Sequence, residues 1–322
     1  MHVVEIHEQL SGSTAKISLD QGFNCFEFKA VLPTKEVVSV LEAPADFASG
    51  NYHPAHYGIP ILFPFPNRIQ GGRYLWNGTE YAIPSQTAVT DDLGNAIHGF
   101  CFDRPWRMTQ QSWDTVTAEF QLSRDAADRA PYWPSDAKIV IQYALRNSSL
   151  RADVTISNCG SQSLPWGFGT HPYFHVPAGP QSSPGDCTIY APVRQRWELE
   201  KFVPTGRLIP TQPEASLIES PYFDTLKVDD VFTDLETQKG ISVCRIIDEK
   251  AGVQIEQYCS AGFREVVAFT PPWSSSVCLE PYTCVTDAIN LYARGIDGGL
   301  KVLEPGQSWQ GWIEIEVSHV VC

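Results

Sequence analysis

Acid/base chemistry on a neutral substrate needs a carboxylate and a partner that can carry the complementary proton. Four segments of this 322-residue sequence place such groups among aromatic residues, proline and glycine. In residues 58–69, Arg68 follows a stiff apolar run containing Pro60, Pro64 and Pro66. Its guanidinium can donate paired hydrogen bonds to hydroxyls or a carboxylate, or it can serve a structural ion pair. His98 lies between Ile97 and Gly99, shortly after the acidic turn at Asp91 and Asp92; a lone histidine is more often structural than functional. Residues 166–175 hold His171 and His175 in a setting of aromatics and glycine that suits a ligand platform and suits an ordinary core still better. Glu280 follows Val277, Cys278 and Leu279 and precedes Pro281, which is expected to stop the ladder and leave the carboxylate at a strand end. Buried without a partner, that carboxyl would have a raised pKa, as a general base requires; a salt bridge is the commoner outcome.

The elements around these segments read as strands. Short runs rich in Val, Ile, Phe, Tyr and Thr recur between turn residues, as at residues 15–19, 138–143 and 312–317. Asn77-Gly78 supplies the positive φ angles of a tight hairpin turn within residues 74–81. Residues 137–145 and 150–156 are expected to pair antiparallel across Arg146-Asn147-Ser148-Ser149. The one helix-like stretch is residues 123–130, capped by Ser123, ended by Pro131 and good for two turns at most. Many strands and no strand-helix alternation predict an all-β fold, an antiparallel sandwich or barrel. Pro and Gly are scattered and no linker is visible, so residues 1–322 read as a single domain. No glycine-rich phosphate cradle is present, which favours chemistry without a nucleotide cofactor.

Formal net charge is -14, from 37 acidic and 23 basic residues, a field that repels nucleic acid and anionic membranes and otherwise serves solubility. The nine cysteines form no Cys-x-x-Cys pair and no zinc-site spacing, so neither a metal centre nor a disulfide framework is expected. An N-terminus with early charge and no long apolar run point to a cytoplasmic protein without a membrane anchor.

Taken in order, Pro66-Asn67-Arg68-Ile69, Ile97-His98-Gly99, His171-Pro172-Tyr173-Phe174, Asp229-Asp230-Val231-Phe232 and Glu280-Pro281-Tyr282-Thr283 resemble the aldose 1-epimerase, or galactose mutarotase-like, family. The resemblance spans most of the chain. It implies a large antiparallel β-sandwich (supersandwich) with few short helices and an open cleft that takes one monosaccharide, without metal or cofactor. By matching motifs, Glu280 would be the general base and His171 the general acid, with Arg68, His98 and Asp229 binding hydroxyls. Asp229 is chosen over Asp230 because the family aspartate stands three residues before its phenylalanine, here Phe232. Pro66 and the His171-Pro172 pair are similar to more distant branches than the best-known galactose mutarotases. An imidazolium near its usual pKa of ~6.5, raised further by nearby carboxylates, is the expected acid. Sugar-phosphate epimerisation would need extra cations, for which Arg73, Arg104 and Arg107 are candidates. A silent sugar-binding module would need no turnover at all, and polysaccharide cleavage would need a second catalytic carboxylate or a lyase base.

Overall fold

The computed structural model describes residues 2–320, apart from the side chain of Glu214; Met1, Val321 and Cys322 lie outside the described residues. Two eight-stranded sheets dominate. One joins strands in the order Arg107–Gln111, Thr115–Gln121, Ala137–Arg146, Ser149–Asn158, Ser308–His319, Val253–Cys259, Ser242–Asp248 and Cys187–Tyr190. The other runs Val203–Pro210, Gln195–Glu200, Asp229–Thr233, Glu265–Phe269, Ser276–Tyr282, Gly169–Thr170 and Ile61–Leu62, with Tyr173–His175 pairing beside Ser276–Tyr282. A four-stranded sheet formed by residues 3–39 completes the framework. Named strands pair antiparallel throughout these sheets, as in Ala137–Arg146 with Ser149–Asn158 and Glu265–Phe269 with Ser276–Tyr282.

The strand chemistry follows a period of two, which turns alternate side chains to opposite faces. In Ala137–Arg146 the odd positions Ala137, Ile139, Ile141 and Tyr143 are buried, while Lys138, Val140 and Gln142 are half-buried. Residues from both large sheets join one apolar cluster that runs from Val4 to Val317, including Ile139, Ile156 and Ile315 from one and Phe232, Val266 and Leu279 from the other. Gln257 bridges the sheets by donating to the Leu279 carbonyl at 2.8 Å. The expected antiparallel β-sandwich is present.

Both anticipated turns form. Asn77 and Gly78 adopt φ of 47° and 79° between Arg73–Trp76 and Thr79–Ala82. Asn147, at φ 52°, begins the two-residue turn between Arg146 and Ser149. The helix expected at residues 123–130 shrinks to one turn, Leu122–Asp125, and Ser123 lies inside it instead of capping it. Two carboxylates explain the change: Asp136 accepts the Ser123 hydroxyl at 2.8 Å, and Asp125 accepts the Gln121 N–H at 2.7 Å.

A helix that was not anticipated, Ala288–Ala293, follows Asp287, whose φ is 57°. The Asp287 carboxylate accepts the Gln70 N–H at 3.0 Å and the Asn290 amide at 2.7 Å. Its own N–H donates to the Arg68 carbonyl at 2.8 Å, so this helix start clamps the segment that carries Arg68.

Candidate active site

Ser276–Tyr282 is a central strand whose seven residues are all buried. On one side it pairs with Glu265–Phe269; on the other it meets Gly169–Thr170 and Tyr173–His175, two pieces separated at His171-Pro172. Tyr282 stands opposite Gly169 and Cys278 opposite Tyr173, which places residue 171 opposite Glu280. The expectation that Glu280 ends its strand is therefore wrong: the strand continues through Pro281 to Tyr282. A proline lacking its N–H is tolerated in this central position because the adjoining strand is already interrupted at His171-Pro172. The same interruption brings the His171 ring to the carboxylate, with Nε2 3.4 Å from Glu280 Oε1.

Arg68, His98, His171, Asp229 and Glu280 line one cavity of about 180 Å³, together with Asn67, His56, Tyr173, Phe269 and Trp273. All five residues singled out in the sequence thus converge. His175 does not: its Nδ1 lies 2.6 Å from Glu42 Oε2, and it is absent from the cavity wall.

Each side chain is held by a specific device. Arg68 donates through Nε to Asp91 Oδ2 at 2.7 Å and through Nη1 to Asn67 Oδ1 at 2.9 Å, and its guanidinium lies 4.6 Å from the Phe202 ring centroid. The structural reading of Arg68 as an ion-pair partner holds, and the ion-paired side chain also lines the cavity. His98, at φ 66°, donates its backbone N–H to the Asn67 carbonyl at 2.7 Å. Its neighbour Gly99 sits so close to Phe63 that a Cβ would come 2.3 Å from the Phe63 carbonyl oxygen, so only glycine lets the two loops join there. The His171 ring stacks on Tyr173 with centroids 4.7 Å apart and meets His98 edge-on at 5.5 Å. Tyr173 is fixed in turn by donating its hydroxyl to the Ala55 carbonyl at 2.9 Å. Asp229 opens the strand Asp229–Thr233 on the cavity side, whereas Asp230 forms an ion pair with Arg196 at 2.6 Å.

The chain matches the family model for aldose 1-epimerase over residues 33–316. The chain belongs to the aldose 1-epimerase family. It is 23% identical over 255 residues to the uncharacterized protein YihR of Escherichia coli (strain K12), covering 79% of this chain and 76% of that one. Its fold is similar to a galactose mutarotase-like protein from Clostridium acetobutylicum, with a TM-score of 0.85 at 22% identity over 99% of each chain. A GalM/aldose epimerase homologue from C. elegans is similar at a TM-score of 0.81 and 15% identity, again over 99% of each chain.

In this aldose 1-epimerase family member, burial decides the charge states of the site. Burial drives the Glu280 carboxyl well above its usual pKa; the Tyr282 hydroxyl and Arg68 pull it down, and Asp229 pushes it further up. His171 goes the other way, lowered by burial to about 3, and His98 is also held well below its ordinary value, by burial and then by His171 and Arg68. The expectation that carboxylates raise the His171 pKa is overturned: loss of hydration lowers it and His56 adds to the lowering, against a smaller opposing backbone hydrogen bond. Burial thus favours the uncharged forms of both groups, a protonated carboxyl beside a neutral imidazole. Asp229 keeps contact with solvent, yet partial loss of hydration raises its carboxyl pKa, with Arg68 opposing and Asp230 reinforcing the shift.

The cations suggested for a phosphate lie elsewhere. Arg73 pairs with Glu80, Arg104 with Asp128, and Arg107 with Asp125 and Glu119; none lines the cavity. Sequence reasoning missed three participants. His56 lies between His53 and Trp273 at centroid distances of 4.3 and 4.8 Å and faces the cavity. The run Tyr52-His53-Pro54-Ala55-His56-Tyr57 is, like residues 166–175, dense in aromatics and histidine and could have been flagged on that ground. Trp273 carried no such signal, and Tyr282 was read only as part of a motif, although its hydroxyl donates to Glu280 Oε2. Among the described residues, no group of three or more His, Cys, Asp or Glu side chains could hold a metal ion, and no helix is long and apolar enough to cross a membrane.

Proposed function

We propose that this protein is a mutarotase that interconverts the α and β anomers of a free aldose, with Glu280 as base and His171 as acid. The observation that carries this reading is their adjacency, Nε2 to Oε1 at 3.4 Å, on the wall of one polar cavity. Mutarotation exchanges protons at two oxygens bonded to the same carbon, so its acid and base must stand side by side. Glycosidases, by contrast, set two carboxyl groups across the sugar.

Glu280 takes the proton from the anomeric hydroxyl while His171 delivers one to the ring oxygen. The bond between the anomeric carbon and the ring oxygen breaks, and a carbonyl forms at that carbon. Rotation about the adjacent carbon-carbon bond and reclosure, with the two residues exchanging roles, yield the other anomer and restore both groups. The competent form, an ionised Glu280 beside an imidazolium, is a tautomer of the neutral pair that burial favours, so one proton passing between neighbours prepares the site. Arg68, His98 and Asp229 bind hydroxyls around the ring, and Trp273 and Phe269 offer apolar faces to its C–H groups.

The substrate is proposed to be an unphosphorylated monosaccharide, because Arg73, Arg104 and Arg107 are paired outside the cavity. We propose that it works as one domain in a reducing cytoplasm, in keeping with thiols at all eight described cysteines; the net charge of -14 disfavours nucleic-acid and anionic membrane partners. Two-dimensional exchange NMR on a panel of free and phosphorylated aldoses tests the proposal. Catalysed exchange on a free aldose is expected; binding without exchange would make the protein a silent sugar-binding module.

A further inference from the structure

Glu280 has two carboxylate oxygens, and the protein treats them differently. Oε1 faces His171 and the cavity, whereas Oε2 accepts the hydroxyl of Tyr282. Tyr282 is fully buried and does not line the cavity, so it touches the base without touching a substrate. Its position two residues beyond Glu280 puts both side chains on one face of the strand. That leaves the ring nowhere to lie except across the neighbouring strand at Gly169. A Cβ on Gly169 would come 2.2 Å from the Tyr282 ring, so the absence of a side chain there makes the space the ring occupies. The Asn67 side chain also hydrogen-bonds to Tyr282, while its Oδ1 accepts from Arg68 Nη1 at 2.9 Å and from Thr286 at 3.1 Å. A polar chain thus runs from Arg68 through Asn67 and Tyr282 to Glu280 and His171.

We infer that Tyr282 is a positioning residue that shifts the proton shared by Glu280 and His171 toward His171, and so populates the tautomer competent for ring opening. A hydroxyl donating to one carboxylate oxygen stabilises the ionised form and cannot stabilise the protonated form equally. It also keeps Oε2 occupied, leaving Oε1 as the oxygen that meets the substrate proton. The groups facing Glu280 from all sides are His171, Tyr282, Tyr173, Cys278, Asp229 and Arg68; of these, Tyr282 alone donates a hydrogen bond to Oε2. This direction agrees with the lowering effect of Tyr282 on the carboxyl pKa.

The inference rests on the mutarotase reading, and its test separates the two. Tyr282→Phe keeps the ring against Gly169 and removes only the hydroxyl. Its loss should raise the alkaline limb of the kcat/KM profile, which reports Glu280 ionisation, by about one to two pH units, the effect of one hydrogen bond to a charged group. Because the competent tautomer becomes rarer, kcat on the plateau should fall by roughly 10- to 100-fold at the same time. Packing damage would lower kcat without moving the limb. The second comparison uses the Glu280→Gln background, where Tyr282→Phe should change the residual rate less than threefold if the tyrosine acts through the carboxylate. An unmoved limb in Tyr282→Phe, or an equal loss in both backgrounds, overturns the inference; an inactive wild-type protein overturns the mutarotase reading instead. Should Tyr282→Phe fail to fold, Tyr282→Met is scored on the same limb.

Discussion

Asp91 grips Arg68 through Oδ2 at 2.7 Å and uses its other oxygen to gather its own loop, accepting the backbone N–H groups of Leu93 and Asn95 at 3.0 and 2.9 Å. One carboxylate therefore aims a guanidinium at the cavity and fixes the turn that leads to His98. Asp91→Asn keeps the shape but weakens the charged bond. If Arg68 binds ground and transition states alike, KM should rise about tenfold with kcat changed less than threefold. Steady-state kinetics on the preferred anomer decide it, and a fall in kcat at constant KM would show that Arg68 acts at the barrier.

Glu280→Gln should lose about a hundredfold or more in turnover while still binding sugar, since acid/base groups typically contribute about 10² to 10⁴. The same variant carries a stability signature. The folded Glu280 pKa lies above its unfolded value, so the folded protein holds this proton longer and stability falls as pH rises through that window. Glutamine carries no such penalty. The variant should match or exceed the wild-type melting temperature at pH 8 and lose that advantage below the unfolded pKa of ~4.5; thermal melts across pH test this.

His171, lowered to about 3, should give no inflection near pH 6.5 in the kcat/KM profile of the wild-type protein. The one-proton state of the pair is depleted in acid only when His171 takes a second proton, and in base when Glu280 releases its own. A limb centred at 6.5 that disappears in His171→Asn would refute this ordering.

His171→Asn should mainly lower kcat, by about 10² or more, whereas His98→Asn should mainly raise KM if it has the proposed hydroxyl-binding role, because His98 lines the cavity while His171 is the histidine next to Glu280. His175→Asn should be the mildest of the three, its partner Glu42 lying off the cavity wall. The reverse pattern for His98 and His171 would exchange their roles.

Local chemistry made the turns at Asn77-Gly78 and Asn147-Ser148 legible, since each depends on residues adjacent in sequence. The convergence of Arg68, His98, His171, Asp229 and Glu280 was legible only through ordered motifs, because positions up to 212 residues apart have no local signal of contact. What escaped depended on neighbours from elsewhere in the chain. Ser123 was drawn away by Asp136, thirteen residues on, and Pro281 remained in a strand because of a break in a different one. The direction of the His171 shift escaped for the same reason: motif spacing reveals which charges approach, whereas the amount of water removed depends on the completed packing.

The interruption at His171-Pro172 has a consequence for how the protein fails on heating. Glu280 is set by a ladder position in the middle of a buried sheet, and His171 is held in the gap between two strand pieces paired to that strand, where backbone opening approaches the cost of unfolding the whole molecule. Arg68 is set by the two-residue strand pair Arg68–Ile69 with Ala96–Ile97, and His98 directly follows that pair; their further ties run through Asp91, Asn67 and Thr286, and so short a ladder opens at lower free energy. Warming should therefore blunt the protein's hold on sugar several degrees before it dismantles the proton-transfer couple, with amide exchange at residues 91–98 outpacing that of the central strand.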